Sequence, residues 1–360
     1  MIKTMHSRHL LPIFILPVIF SSCSTSVNQE VIVKKKFMMD TLVEITVAEP
    51  DKPKAARAIE EAFKEIKRIE KITSPVGNND LSRLNEEADK NPVEIPEDLF
   101  FIIDRGLYFS RLTGGVFDIT VGPLVKLWGF DDSTKKNILP AKEAVNNALE
   151  FVGYRNVIID DKRHTVFFTK KGVAIDLGGI AKGYIVGRAM EVLKKAGIKN
   201  AIVNAGGDIK VIGNKFGNKW KIGIKHPRKA DELLDIIEIE GARCIFTSGD
   251  YERCFFVSNK RYHHILNPKT GYPADSSVVS ATIICGDELQ AQVLAKVIII
   301  EGSSGGRKFI NKFTDTEAIL STDKGNVEQL IPVVNKKHLK NTKNKYLYRI
   351  IGKRSGSAKQ

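Results

Sequence analysis

Two adjacent glycines and a lysine three residues on make a place where an anion can rest. In Asp176-Leu-Gly-Gly-Ile-Ala-Lys-Gly-Tyr184 the pair Gly178-Gly179 closes the apolar run Val173–Leu177 and opens a helical pattern. Without Cβ atoms the backbone can approach a ligand closely, and a helix start offers unpaired N–H groups. Lys182 adds a positive charge in the first turn. These features suit a pyrophosphate. The spacing is neither a Walker loop nor a GxGxxG fingerprint, so the competing reading is a tight turn with a solvated lysine. Three more glycine-framed polar segments follow the same logic, because sites concentrate in such loops. They are Gly114–Leu124, which contains Asp118 and continues to Trp128-Gly-Phe130, then Thr247–Arg253, and Tyr262–Tyr272. Asp250 and His264 are of the types that accept a proton as general bases; for the histidine a satisfied structural side chain is the competing reading.

The elements that must position these loops can be read from periodicity. Thr41–Val47 is a strand by its β-branched content. From Lys54 to Ile72 the apolar residues Ala55, Ile59, Ala62, Phe63, Ile66 and Ile69 recur on one helix face. A second helix runs from Pro96 to Leu112 and stops before Gly114-Gly115. Asn156–Ile159 and Thr165–Phe168 form a hairpin, and Val173–Leu177 reads as a strand. A helix then extends to Lys195 and ends at Gly197, followed by a strand at Ala201–Asn204. Strands continue to Ile284, and a last helix spans Leu289–Glu301 with Gly302 as its stop. Strands occur in runs as well as in alternation with helices, which predicts an α+β class, mixed sheets with flanking helices.

The motifs occur in one order along the chain: Ser82-Arg-Leu-Asn85, Phe117–Leu124, Trp128-Gly-Phe130, Asp176–Tyr184, Gly206-Gly-Asp208, Thr247–Tyr251 and His264–Pro273. In this set, from about Phe37 to Gly302, the chain resembles the ApbE family of flavin transferases. The resemblance implies that fold and FAD as substrate, with the FMN half passed to a Thr or Ser of a target protein and AMP released. Carried over position by position, it implies flavin contacts from Met39, Val116, Phe117, Asp118, Asp176 and Lys182, with His264 and Ile265 closing over the ligand. It also implies Mg2+, held at positions Gly179, Gln292, Ala295 and Lys296.

Both side-chain metal ligands of the family are changed here. An Asp and, four residues later, a Thr would share one helix face; this chain has Gln292 and Lys296. A glutamine still offers a neutral oxygen, whereas a lysine offers only a charged donor that repels a dication. Three further departures are Asp40 where the family has glycine, Pro75 where it has an aromatic, and Asn267 where it has an acid. These changes put the magnesium site in doubt. They leave a catalytically weak FAD-binding protein as the alternative function, unless Asp287 or Glu288 supplies the missing ligand.

The ends of the chain bear on location. Lys3 and Arg8 precede an apolar run from Leu10 to Phe20, too short to span a bilayer, and Ser21-Ser22-Cys23 follows. That order predicts a lipoprotein signal peptide at 1–22, lipidation of Cys23, a tether at 23–36, and anchoring to a bilayer on the extracytoplasmic side. Residues 37–334 form the body and 335–360 a basic tail. The formal charge is +14, but the 25 residues from Lys336 to Gln360 hold nine Lys plus Arg and no acid, so the body is only mildly basic. No aromatic residues interleave with a basic stripe in the body, which argues against nucleic acid. Cys244, Cys254 and Cys285 form no CxxC and read as small core residues, with Cys244 and Cys254 able to pair only if they lie on neighbouring strands.

Overall fold

A computed structural model describes residues 30–130 and 138–332. Cys23, the signal segment and the basic tail therefore lie outside the described residues. In chain order the elements are β1 (Ile32–Met38), β2 (Thr41–Val47), α1 (Lys52–Thr73), α2 (Asp80–Glu87), β3 (Val93–Glu94), α3 (Glu97–Thr113), α4 (Gly122–Trp128), α5 (Lys142–Leu149), β4 (Val157–Asp160) and β5 (Thr165–Phe168). Then come α6 (Ala181–Lys195), β6 (Ala201–Ala205), β7 (Asp208–Ile212), β8 (Trp220–Lys225), β9 (Leu233–Ile239), β10 (Arg243–Gly249), β11 (Cys254–Val257), β12 (Lys260–His263), β13 (Val278–Cys285), α7 (Glu288–Ile310), β14 (Glu317–Thr322) and β15 (Val327–Leu330).

The principal sheet has the order β1-β2-β6-β7-β10-β13-β14-β15, and every neighbouring pair in it is antiparallel. One face carries Val43, Ile45, Val203, Phe246, Ala281 and Ile283 into the main core beneath α1, α6 and α7. The other face carries Ile209, Val211, Ile245 and Ile284 against the β8-β9 hairpin through Trp220, Ile222 and Ile237. Coverage on both sides explains why β13 is buried along its whole length; a strand with no solvated face has no polar alternation to show. On the β1 edge, Lys34 and Lys36 reach Glu60 at 2.8 and 2.7 Å, and Lys35 reaches Glu44 at 2.6 Å.

Helix α1 buries the expected stripe, and its first turn is capped by Asp51, whose carboxylate accepts the Lys54 N–H at 2.9 Å. Helix α3 ends at Gly114 in the left-handed conformation, as its sequence predicts. Helices α6 and α7 come unusually close. A Cβ at Gly183 would lie 2.7 Å from the Glu288 carbonyl oxygen, and one at Gly187 only 2.0 Å from Glu288 Oε1. The i, i+4 glycines thus give α7 a smooth face to rest on.

Several expectations change. Ile32–Lys36, read as tether, is part of β1 and pairs with β2; its lysines hid the strand because an edge can be charged. Val173–Leu177 joins no sheet. Its backbone is held instead by a side chain: the Ile175 N–H donates to Asn85 Oδ1 at 2.8 Å, and Asn85 Nδ2 donates to the Ile175 carbonyl at 2.9 Å. The last helix does break at Gly302 (φ 72°) but resumes to Ile310. Three short helices, α2, α4 and α5, have too few turns to show a period in the sequence. Cys254 sits opposite His263 in the separate β11-β12 pair, so it does not neighbour Cys244. Cys244 lies opposite Cys285 instead, and all three thiols are free.

Candidate functional site

The glycine loop between Leu177 and Gly183 is held by two side chains: Asp176 Oδ1 accepts the Gly178 N–H at 3.0 Å, and Gln292 reaches it from α7. Gln292 Oε1 accepts the Gly183 N–H at 2.7 Å, and its Nε2 donates to the Gly178 carbonyl at 3.2 Å. The first position is an orphan donor of the α6 start, since no residue of the loop caps that helix. Over the loop lies Phe117, whose ring would be 2.7 Å from a Cβ at Gly179. The Phe117 segment is in turn fixed by Asp118, which accepts from Thr120 N and Oγ1 at 2.9 and 2.7 Å and from Tyr154 N at 2.8 Å. Burial pushes the Asp118 carboxyl up, opposed by those same hydrogen bonds. The carboxylate is therefore a loop-former at the wall, with its oxygens already engaged.

These segments enclose a cavity of ≈ 580 Å³, large enough for a substantial ligand. Met39, Val116, Phe117, Asp118, Asp176, Gly179, Lys182, His264, Ile265, Gln292 and Lys296 all line it, whereas Ala295 does not. Met39 and Asp40 form the β1-β2 turn, both with positive φ (53° and 54°). Asp40 tolerates this conformation better than most side chains, and its carboxylate meets Arg253 at 3.5 Å across the cavity rim. Asn267 accepts the Lys269 N–H at 2.9 Å, so it shapes the turn after His264. The Trp128-Gly-Phe130 motif supports that same loop: Trp128 donates its indole N–H to the Gly271 carbonyl at 2.8 Å and stacks on Tyr262.

Charge is concentrated at one end. Lys182 meets Asp208 at 3.3 Å, and Lys296 approaches Ser248 Oγ at 3.5 Å. Enclosure pushes the Lys296 ammonium down and Lys182 adds to this, while Asp208, Glu252 and Asp176 pull the other way. Glu252, missed by sequence reasoning, stands on the rim of this group. The residue as a whole is exposed, but the enclosure of its carboxyl on the cavity side, reinforced by Asp208, pushes that group up to about 7. It lies within the Thr247–Arg253 segment, but nothing in its type or spacing separates it from Asp250.

Asp250 is not brought into the cavity. Both of its oxygens are taken by Arg228 at 2.7 Å, and Arg261 adds a contact at 2.9 Å. With both oxygens engaged by guanidinium groups and turned away from the cavity, this carboxylate is not placed to meet a substrate hydroxyl. His264 does face the cavity, and its Nδ1 is closed off from solvent without a hydrogen-bond partner. Burial, with Lys296 next, holds its ring down at about 3, so it is neutral at ordinary pH.

The residues at the family's magnesium positions do not fit a divalent cation. The polar atoms of the Gln292 amide are both occupied by the backbone, Lys296 is cationic, and Ala295 is buried in the core away from the cavity. Neither substitute acid helps. Asp287 caps α7 by accepting the Gln290 N–H at 2.9 Å, and Glu288 pairs with Lys210 at 2.7 Å. Among the described residues no group of three or more His, Cys, Asp or Glu could hold a metal ion.

Fold and site together define an α+β protein built around one deep, anion-receptive cavity. Its sequence matches the ApbE family model over residues 39–320. A FAD:protein FMN transferase of Klebsiella pneumoniae is 32% identical over 264 residues, covering 72% of this chain and 80% of the relative. One of Treponema pallidum is 30% identical over 281 residues, covering 73% and 76%. The ApbE crystal structure from Thermotoga maritima superposes with a TM-score of 0.77 at 36% identity, covering 83% of this chain and 97% of that one. The flavin transferase ApbE of Vibrio cholerae gives 0.72 at 26% identity, covering 86% and 99%. The chain belongs to the ApbE family.

Proposed function

We propose that this protein is an FAD:protein FMN transferase. The observation that carries the reading is the meeting, in one cavity, of apolar walls (Met39, Val116, Phe117, Ile265) with a charged end (Lys182, Lys296, Glu252) beside the start of α6. The apolar part suits an isoalloxazine ring, and the charged end suits a pyrophosphate. The relatives from Klebsiella pneumoniae, Treponema pallidum and Vibrio cholerae carry transfer in their names, which favours this activity over a catalytically idle binder.

In the proposed reaction the hydroxyl oxygen of a target Thr or Ser attacks the phosphorus on the FMN side of the pyrophosphate. The bond from that phosphorus to the bridging oxygen breaks, and AMP leaves with that oxygen. Lys182 and Lys296 stabilise the charge that develops. Glu252 takes the hydroxyl proton: its carboxyl is pushed up to about 7 and it lines the cavity, which Asp250 does not. No step is assigned to a metal.

The order of Lys3 and Arg8, the apolar run Leu10–Phe20 and Ser21-Ser22-Cys23 supports a further part of the proposal, a body anchored through Cys23 outside the cytoplasm whose clients are domains exposed on that side of the membrane. Incubating the protein with FAD and a candidate target domain, then denaturing, separates the outcomes. Flavin fluorescence that stays with the target band supports transfer; flavin released wholly as free FAD excludes it. Labelling with radioactive palmitate, lost in Cys23→Ser, tests the anchor.

A further inference from the structure

Lys296 differs from Lys182 and Arg253, the other cations lining the cavity, in how its charge is used; Arg253 meets Asp40 at 3.5 Å. The Lys182 ammonium is in contact with Asp208, whereas the Lys296 ammonium has one hydrogen-bond partner among the described residues, the neutral Ser248 hydroxyl at the long distance of 3.5 Å. An ammonium has three donors, so it retains capacity for further acceptors. Its stem runs beside the glycine loop: Lys296 Cδ would lie 3.7 Å from a Cβ at Gly179. Gln292, one turn earlier on α7, holds the backbone of that loop from both sides. The loop and the ammonium are therefore presented to the cavity by the same helix face.

From this arrangement we infer that Lys296 is a built-in cation that seats the pyrophosphate of FAD, so that this chain binds FAD without a divalent metal. The inference rests on the FAD reading above and deepens it. The positive charge that a bound ion would bring is covalently attached to α7, and the oxygen that might have held an ion, Gln292 Oε1, serves as a helix cap. Burial pushes the Lys296 ammonium down from the ordinary lysine value, and Asp208, Glu252 and Asp176, at longer range, oppose that push.

The test is FAD binding to metal-stripped protein, followed by flavin fluorescence in EDTA and in excess magnesium, with riboflavin as a phosphate-free control. Wild type is expected to bind FAD with the same affinity, within about twofold, in both buffers. Lys296→Met is expected to lose roughly 10–100-fold for FAD, the scale of a charge-assisted contact, while keeping its riboflavin affinity and its melting temperature. Gln292→Asp with Lys296→Thr should make FAD binding depend on magnesium; since Gln292 also holds the loop, Lys296→Thr alone provides a second variant, expected to match Lys296→Met. Wild-type affinity that collapses in EDTA and returns with magnesium overturns the inference and leaves the FAD reading intact. Lys296→Met with undiminished FAD affinity does the same. Absence of FAD binding in every form and buffer overturns the FAD reading itself.

Discussion

Gln292 and Gly183 are 109 residues apart in sequence, yet the Gln292 amide oxygen accepts the Gly183 N–H at 2.7 Å and so caps α6 from α7. The cavity floor is thereby a joint product of two helices. Replacing Gln292 with Ala leaves the buried Gly183 N–H without its partner, whereas the exposed Gly178 carbonyl can turn to water. An unpaired buried group costs about 1–3 kcal/mol, so Gln292→Ala should lower the unfolding free energy by that amount and weaken ligand binding. Thermal and urea unfolding read the first effect, and FAD titration the second.

Proton transfer to Glu252 predicts the pH profile of transfer. A base works only when deprotonated, and this carboxyl is pushed up to about 7, so the rate should rise with pH through that value. Glu252→Gln should slow transfer by roughly 10²–10⁴-fold, the usual contribution of a general base, and flatten the rising limb. Asp250→Asn should keep the limb, because that carboxylate is sequestered by Arg228 and Arg261. A limb that survives in Glu252→Gln would assign the base elsewhere.

Glu65 ties α1 to α6. It accepts from Arg68 at 2.8 and 2.9 Å and from Arg188 at 2.9 and 3.1 Å, and Arg68 is the leading cause that holds its carboxyl down at about 2 from the usual 4.5. A depressed carboxyl contributes stability that is present above its unfolded value and lost as pH falls toward the folded one. Stability should therefore decline between pH 4.5 and 2. Glu65→Gln should cost about 1–2 kcal/mol at pH 7, discounted for the solvent around the arginines, and should reduce the slope in the acid range. Chemical denaturation at a series of pH values measures both.

The cysteines give a simple test of the packing. Cys244 and Cys285 face one another across β10 and β13, both buried. Burial pushes both thiols up, Cys285 to about 12, which suppresses the reactive thiolate. In a chain carrying Cys23→Ser and Cys254→Ser, a thiol reagent should label neither until denaturant is added. Prompt labelling of the native protein would contradict the register of these strands.

Much of the site was legible because its motifs are local. Glycines at a helix start, a lysine in the first turn and an aromatic beside an acid are all visible within ten residues, and these residues do line the cavity. What the sequence hid depends on partners far along the chain. Val173–Leu177 has a strand's composition but pairs with the Asn85 amide rather than a neighbouring strand. Asp250 and Glu252 are both acids in one turn; only the arrival of Arg228 and Arg261 from other segments decides which stays available. Gln292 reads as a spare oxygen until the loop it holds is in view. The α1 stripe, by contrast, was plain from spacing alone, since six turns of helix must bury one face whatever the rest of the fold does.

The principal sheet is open at β1, and an open edge exposes unpaired backbone groups that invite a second sheet to dock. Lys34, Lys35 and Lys36 stand along that edge, with Glu44 and Glu60 behind them. A second β1 edge brought alongside would set ammonium groups against ammonium groups. This charged border favours separate copies over edge-to-edge sheets, so the row of lysines acts as a spacer between one molecule and the next.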